Sequence, residues 1–102
     1  MTRRIPESAR LLPWAGPEGK PCYVLGGGTG HVSRVADDVE SVQLDMAAGL
    51  LAHAVDMLDD RQVTAVQLRY VVARLAESLR DVHRIARSRG ARLAAPGAGP
   101  ER

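Results

Sequence analysis

The chain of 102 residues has no Phe, one Trp and two Tyr, so its apolar side chains are mostly Leu, Val and Ala. Small aliphatic side chains suit closely packed helices better than the thick core of a β-sandwich. The shortage of aromatic residues therefore favours a mainly helical fold. A chain of this length is expected to form one domain.

Cysteine and long apolar runs are equally scarce. The single cysteine, Cys22, cannot form an internal disulfide, which is typical of proteins of the reducing cytosol. No stretch is long and apolar enough to span a membrane, and residues 1–12 lack the apolar core of a signal peptide. These absences predict a cytoplasmic protein.

Net charge is also small, at +2, but the charges are segregated along the chain. Residues 37–61 contain acids with one Arg, whereas residues 69–92 contain arginines with only two acids, Glu77 and Asp81. The total charge gives no argument for a nucleic-acid partner, and the distribution predicts an acidic segment that faces a basic one.

Helix breakers are concentrated in residues 1–21, which contain four prolines and two glycines: Pro6, Pro13, Gly16, Pro17, Gly19 and Pro21. This density predicts a mobile arm without helix or strand. Trp14 lies within the arm. It is expected to pack on its own domain, or alternatively to anchor a partner protein.

Residues 22–35 are predicted to form a β-hairpin. Residues 22–25 and 31–35 are β-prone, and the glycine-rich residues 26–30 separate them. The glycine run resembles a phosphate-binding loop, but such loops are followed directly by a helix, and here a strand is predicted. A hairpin turn is therefore favoured, with a nucleotide site and a partner-binding loop as alternatives.

Two helices are predicted to follow, over residues 38–59 and 65–89. Asp37 and Glu40 form a capping box for the first, and Thr64 and Gln67 for the second, which Gly90 ends. The short turn over residues 59–62 makes the helices antiparallel neighbours. Residues 91–102 are predicted to be a disordered tail, so residues 22–90 are the domain.

The antiparallel arrangement also predicts ion pairs between the helices. The start of the first helix carries acids, and the end of the second carries arginines. These two ends lie side by side, so their opposite charges are expected to meet. The groups involved are Asp37, Asp38 and Glu40 in the first helix and Arg84, Arg87 and Arg89 in the second.

The second helix carries an apolar seam that one hairpin does not cover. Its members recur at spacings of three and four, as in coiled coils, and they are Leu68, Val72, Leu75, Leu79 and Val82. We predict that these residues form a dimer interface, and that two chains associate into a four-helix bundle.

The sequence carries only weak signatures of a catalytic or metal-binding site. The three histidines, His31, His53 and His83, lack metal-site spacing, and Cys22 alone cannot supply a thiolate cluster. Ser33 or Cys22 with His31 could be drawn as a nucleophile and base, but two helices and a hairpin leave little room for a pocket. We therefore predict no enzymatic activity, no metal and no cofactor.

The second helix also carries a basic stripe. Arg80, Arg84 and Arg87 recur at i, i+4 and i+7, as in helices that neutralise nucleic-acid phosphates. Arginines late in a helix also interact favourably with its dipole and with a neighbouring acidic helix. The second interpretation is preferred, and nucleic-acid contact through these arginines is the alternative.

Three stretches, residues 13–23, 28–34 and 75–81, resemble short uncharacterised proteins of actinomycetes such as streptomycetes. The resemblance covers roughly residues 13–93. It implies a bacterial, cytoplasmic, accessory protein, and it implies no activity, cofactor or site residue.

These patterns together predict a mainly α protein: an antiparallel two-helix hairpin, preceded by a short β-hairpin, that forms a homodimer. The expected function is that of a non-enzymatic regulatory or accessory module that interacts with a partner protein. The alternative is a small nucleic-acid-binding transcriptional regulator that uses the basic helix.

Overall fold

A computed structural model describes residues 9–26 and 30–94. A two-stranded antiparallel sheet is followed by two helices, which confirms the predicted fold class. Assembly into a four-helix bundle stays a prediction. The elements are β1 (Arg10–Ala15), a 3₁₀ turn (Pro17–Gly19), β2 (Pro21–Val24), α1 (His31–Leu58) and α2 (Ala65–Ala94).

Of the two strands predicted over residues 22–35, the first is present as β2 (Pro21–Val24) and the second, residues 31–35, is not. β2 pairs with β1, upstream of it, with Leu11 opposite Tyr23 and Ala15 opposite Pro21. Residues 31–35 are helical. The second strand was predicted wrongly because β-prone residues can also form the first turns of a helix when one side of that helix is buried. Ser33 lies on the buried side of α1.

The segment predicted to be a mobile arm therefore contains a strand and a turn over residues 9–21, while residues 1–8 lie outside the described part. Pro13 is tolerated in β1 because a two-stranded sheet has only edge strands, and the pairing is irregular between Leu11 and Ala15. The carbonyl oxygen of Pro13 accepts hydrogen bonds from Gln43 Nε2 (3.0 Å) and Arg84 Nη1 (3.1 Å).

α1 begins at His31, seven residues before the predicted start at residue 38. The predicted capping box of Asp37 and Glu40 is wrong: both residues lie inside the helix, and Gly30 is the N-cap without a side-chain hydrogen bond. Both carboxylates instead bind Arg10 of β1. The two carboxylates therefore form a tertiary contact and do not cap the helix.

α2 begins as predicted. The backbone N–H of Thr64 donates to Gln67 Oε1 (2.8 Å), and that of Gln67 donates to Thr64 Oγ1 (3.1 Å), which is a capping box. The predicted end is wrong, because Gly90 is helical and α2 continues to Ala94. Residues 91–94 of the predicted tail are therefore helical, and residues 95–102 lie outside the described part.

A buried ion cluster joins the sheet to both helices. Arg10 is 3% exposed, and its Nη2 lies 2.7 Å from Asp37 Oδ1 and 3.2 Å from Glu40 Oε2. Its Nη1 donates to the carbonyl of Ser33 (3.0 Å), and Arg89 of α2 lies 3.3 Å from the other oxygen of Glu40. Glu40 therefore connects β1, α1 and α2 through a single carboxylate.

Arg92 lies near the same cluster and binds Ser88 of α2. Ser88 in turn donates to the carbonyl of Leu11 in β1 (2.8 Å). Burial, followed by the positive charge of Arg10, lowers the pKa of Arg92. Its guanidinium stays protonated at neutral pH because the ordinary pKa of arginine is so high.

Candidate functional site

One side of the helical hairpin carries a continuous set of exposed aliphatic side chains, which we call the apolar face. His53 of α1 and Tyr70 of α2 line a common cavity, so they point to the same side of the hairpin. Residues about 180° away from them around each helix share the opposite side. By this criterion the apolar face consists of eight residues, which are Leu44, Leu51, Val55 and Leu58 of α1 and Leu68, Val72, Leu75 and Leu79 of α2.

Most of these side chains are accessible to solvent. Among them, Leu51, Val55 and Leu58 of α1 and Leu68, Val72 and Leu79 of α2 are between 44% and 83% exposed. Leu44 and Leu75 are half-buried. Neither helix covers the six exposed side chains, and the apolar face is thus an unpaired aliphatic surface of the described chain.

The apolar face contains most of the predicted dimer interface. Leu68, Val72 and Leu79 are exposed, whereas Leu75 and Val82 are half-buried next to the contact with α1. α2 buries a different line of residues, which consists of Val71, Ser78, Ile85 and Ser88. The interface assignment itself stays a prediction.

The two edges of the apolar face carry different charges. On α1 the residues that flank it recur every seven positions, namely Asp38, Asp45, Ala52 and Asp59. On α2 the corresponding residues are Arg69, Ala76 and His83. All seven side chains are exposed. These are the positions at which coiled coils place interhelical ion pairs.

A second aliphatic stripe lies on the opposite side of α1. Val35, Val42 and Met46 are between 39% and 56% exposed. Val42 is about 180° from Leu51 around the helix, so the two stripes are separate surfaces. Within the described structure, both sides of α1 are therefore incompletely covered.

The basic stripe lies in a cleft. Arg80, Arg84 and Arg87 form one wall, and the sheet forms the other, around an open volume of about 250 Å³. Of the interhelical ion pairs predicted for Arg84, Arg87 and Arg89, only Arg89 with Glu40 is formed. Arg84 lies 3.5 Å from Asp81 of its own helix, whereas Asp37 and Glu40 of α1 contact Arg10.

The residues proposed for chemistry do not converge. Ser33 is buried, whereas His31, two positions earlier in α1, is exposed and points to another side of the helix. Cys22 is half-buried in β2 and His83 lies in the arginine cleft. Within residues 9–26 and 30–94, no three His, Cys, Asp or Glu side chains are placed to hold a metal ion.

The remaining predicted positions lie elsewhere. Trp14 is half-buried in β1, and Gly26 adopts a φ of 95° after β2. Residues 27–29 of the glycine loop lie outside the described part. The predicted hairpin turn at residues 26–30 is wrong, because α1 and not a strand follows the loop, and the nucleotide-binding and partner-binding alternatives stay untested. Sequence reasoning missed Arg10 as a structural residue, because its position in the chain gave no sign that it would meet Glu40.

No helix of the described chain combines the length and the apolar character that crossing a membrane requires. The resemblance to short actinomycete proteins stays a prediction. In comparisons of the chain with protein families, with curated proteins and with solved structures, no match is found.

Proposed function

We propose that the chain is a non-enzymatic protein-interaction module that forms a homodimer by packing two apolar faces together into a four-helix bundle. The observation that supports this proposal is the set of large aliphatic side chains exposed on one side of the hairpin. Monomeric proteins rarely leave a contiguous apolar patch of this kind in water. A second copy supplies a cover of equal length and equal apolar character.

The edge charges favour one arrangement of the two copies. The hairpins could stack with α1 over the partner's α1, or with α1 over the partner's α2. The first would bring two acidic edges together, which like-charge repulsion disfavours. The second brings the acidic edge of each copy beside the partner's edge that carries Arg69 and His83. We therefore infer that α1 lies over α2 around a two-fold axis parallel to the helices.

The heights of the charged residues, meaning their positions along the helix axes, support this arrangement. Glu40 contacts Arg89 within the chain, which sets the level of α1 relative to α2. Asp59 comes nineteen residues after Glu40, and Arg69 comes twenty before Arg89, so the two have nearly the same height. Rotation about an axis parallel to the helices does not change the position of a residue along them. Asp59 of one copy therefore lies beside Arg69 of the other.

Such exposed ion pairs contribute only about 0–1 kcal/mol each. They therefore select the orientation, whereas burial of the aliphatic side chains supplies the affinity, at roughly 1.5–3 kcal/mol for each fully buried Leu or Val. In this proposal the dimer acts as a regulatory or accessory component. Trp14 of β1 is the aromatic group offered as an anchor to a partner protein.

The test is the mass of the chain in solution, measured by light scattering coupled to size exclusion at micromolar concentration. The unmodified protein is expected at twice the 11.0 kDa of one chain. Leu79→Asp places a charge in the centre of the proposed interface, where burial without a partner is costly, and should give the monomer mass.

The matched control is Val42→Asp, which places the same charge on the second stripe of α1. Val42 is 56% exposed and Leu79 66% exposed, so both substitutions leave the isolated chain similarly unperturbed. Val42→Asp should remain dimeric. A monomer mass for the unmodified protein, or a dimer of Leu79→Asp with unchanged helical circular dichroism, would contradict the proposal.

A further inference from the structure

The cleft between α2 and the sheet has a basic wall that the fold does not neutralise. Among residues 9–26 and 30–94, neither Arg80 nor Arg87 has a carboxylate partner, and Arg84 shares only a 3.5 Å contact with Asp81. Three guanidinium groups within two helical turns repel each other. A bound anion would remove this repulsion.

Arg84 is already oriented within this wall. It is largely buried, and its Nη1 donates to the carbonyl of Pro13 (3.1 Å), which leaves its other nitrogen atoms available as donors. A side chain that is fixed before binding loses less conformational entropy when a ligand arrives. Guanidinium groups donate two parallel hydrogen bonds to a phosphate, which matches the fork geometry of arginine.

The opposite wall has different chemistry. It is formed by the sheet, with Leu11, Pro21 and the ring of Tyr23, which is 39% exposed. A ligand that fills the cleft therefore presents negative charge to α2 and a flat or apolar group to the sheet. The open volume of about 250 Å³ is slightly below the range of roughly 300–1,000 Å³ usual for small-molecule sites, which restricts the ligand to a compact molecule.

We propose that this cleft is a binding site for a small phosphate monoester that carries a ring, of which a nucleoside monophosphate is the simplest case. The phosphate binds Arg80, Arg84 and Arg87, and the ring packs on Tyr23. The concave shape favours this ligand over duplex nucleic acid, whose phosphates lie on a convex surface. Arg84 lies about 180° from Leu75 around α2, so it faces away from the proposed dimer interface, whereas His83 lies at the rim that the cleft shares with the edge of the apolar face.

The experiment is isothermal titration calorimetry of the full chain at low ionic strength with adenosine monophosphate, inorganic phosphate and adenosine as separate probes. Adenosine monophosphate is expected to bind most tightly, and adenosine to give no heat. Replacing both Arg80→Gln and Arg87→Gln should weaken the binding of adenosine monophosphate by about tenfold or more, since each hydrogen bond to a charged group is lost. Tyr23→Ala should reduce its affinity towards that of inorganic phosphate.

The control for charge is Arg61→Gln, in the exposed connection between the helices and outside the cleft. It should leave the affinity unchanged, while circular dichroism verifies that the double variant remains folded. Equal affinities of the double variant and the unmodified chain would overturn the proposal. Binding of a duplex oligonucleotide that needs these arginines, without binding of adenosine monophosphate, would overturn it in favour of nucleic acid.

Discussion

At the scale of single residues, the buried carboxylate of Glu40 links the sheet to both helices. It accepts from Arg10 and Arg89, which come from the sheet and from α2. A buried charge is tolerated only when it is paired, and loss of one partner leaves the other without compensation. The contact between the sheet and the helices therefore includes an ion cluster whose members depend on one another.

We expect Glu40→Ala to lower the free energy of unfolding by ~3 kcal/mol, because Arg10 would stay buried with the exposed Asp37 as its one remaining charged partner. The measurement is urea denaturation followed by circular dichroism at one fixed protein concentration, since the stability of a dimer depends on concentration.

The matched control replaces both charges, with Arg10→Met and Glu40→Leu together. Replacing a buried ion pair by apolar residues of similar volume is often neutral or stabilising. The double variant should thus be clearly more stable than Glu40→Ala. If Glu40→Ala alone were as stable as the unmodified chain, the cluster would not hold the sheet in place.

At the scale of elements, Gly90 in α2 and Gly26 after β2 have opposite backbone conformations. Gly90 lies inside α2 without a positive φ, and a Cβ at this position would meet nothing within 4 Å. Gly26 has a φ of 95°, a conformation that residues with a Cβ rarely adopt. The sequence suggested instead that Gly90 ends the helix in a left-handed conformation.

Gly90→Ala is therefore expected to raise the free energy of unfolding by about 0.5–1 kcal/mol, since alanine loses less backbone entropy in a helix interior. Gly26→Ala should lower it, as the new Cβ disfavours the positive φ. Thermal unfolding of both variants gives the comparison. A loss of stability for Gly90→Ala would show that the helix ends at Gly90.

At the scale of the whole molecule, the dimer orientation is the property to be tested. Ala52 comes twelve residues after Glu40, and Ala76 comes thirteen before Arg89, so both lie at nearly the same height on the two edges of the apolar face. With α1 over the partner's α2, Ala52 of one copy is beside Ala76 of the other.

We expect a short bismaleimide to join Ala52→Cys in one copy to Ala76→Cys in the other, in a background with Cys22→Ser that removes the single native thiol. One variant carries a tag, so that a gel resolves the mixed product. Each variant alone should give little cross-linked dimer. Efficient cross-linking of Ala52→Cys alone would instead indicate α1 over α1.

The sequence by itself determined the parts of the fold that depend on local signals. The reciprocal cap at Thr64, the turn over residues 59–62 and the apolar periodicity of both helices are short-range patterns, and they predicted a two-helix hairpin. The apolar seam of the second helix could also be predicted, because spacings of three and four define one side of a helix without knowledge of its neighbours.

Only the tertiary structure decided where the sheet lies, where α1 begins and which charges meet. Arg10 contacts Glu40 across thirty residues of sequence, and this contact lies on the one buried side of the first turns of α1, which propensity alone assigns to a strand. Arg10 also contacts Asp37 and Glu40, two of the acids that were expected to pair with the arginines of α2, and only Glu40 forms such a pair, with Arg89. Contacts between distant segments leave no local pattern, and for this reason the arginine cleft became visible only in the folded chain.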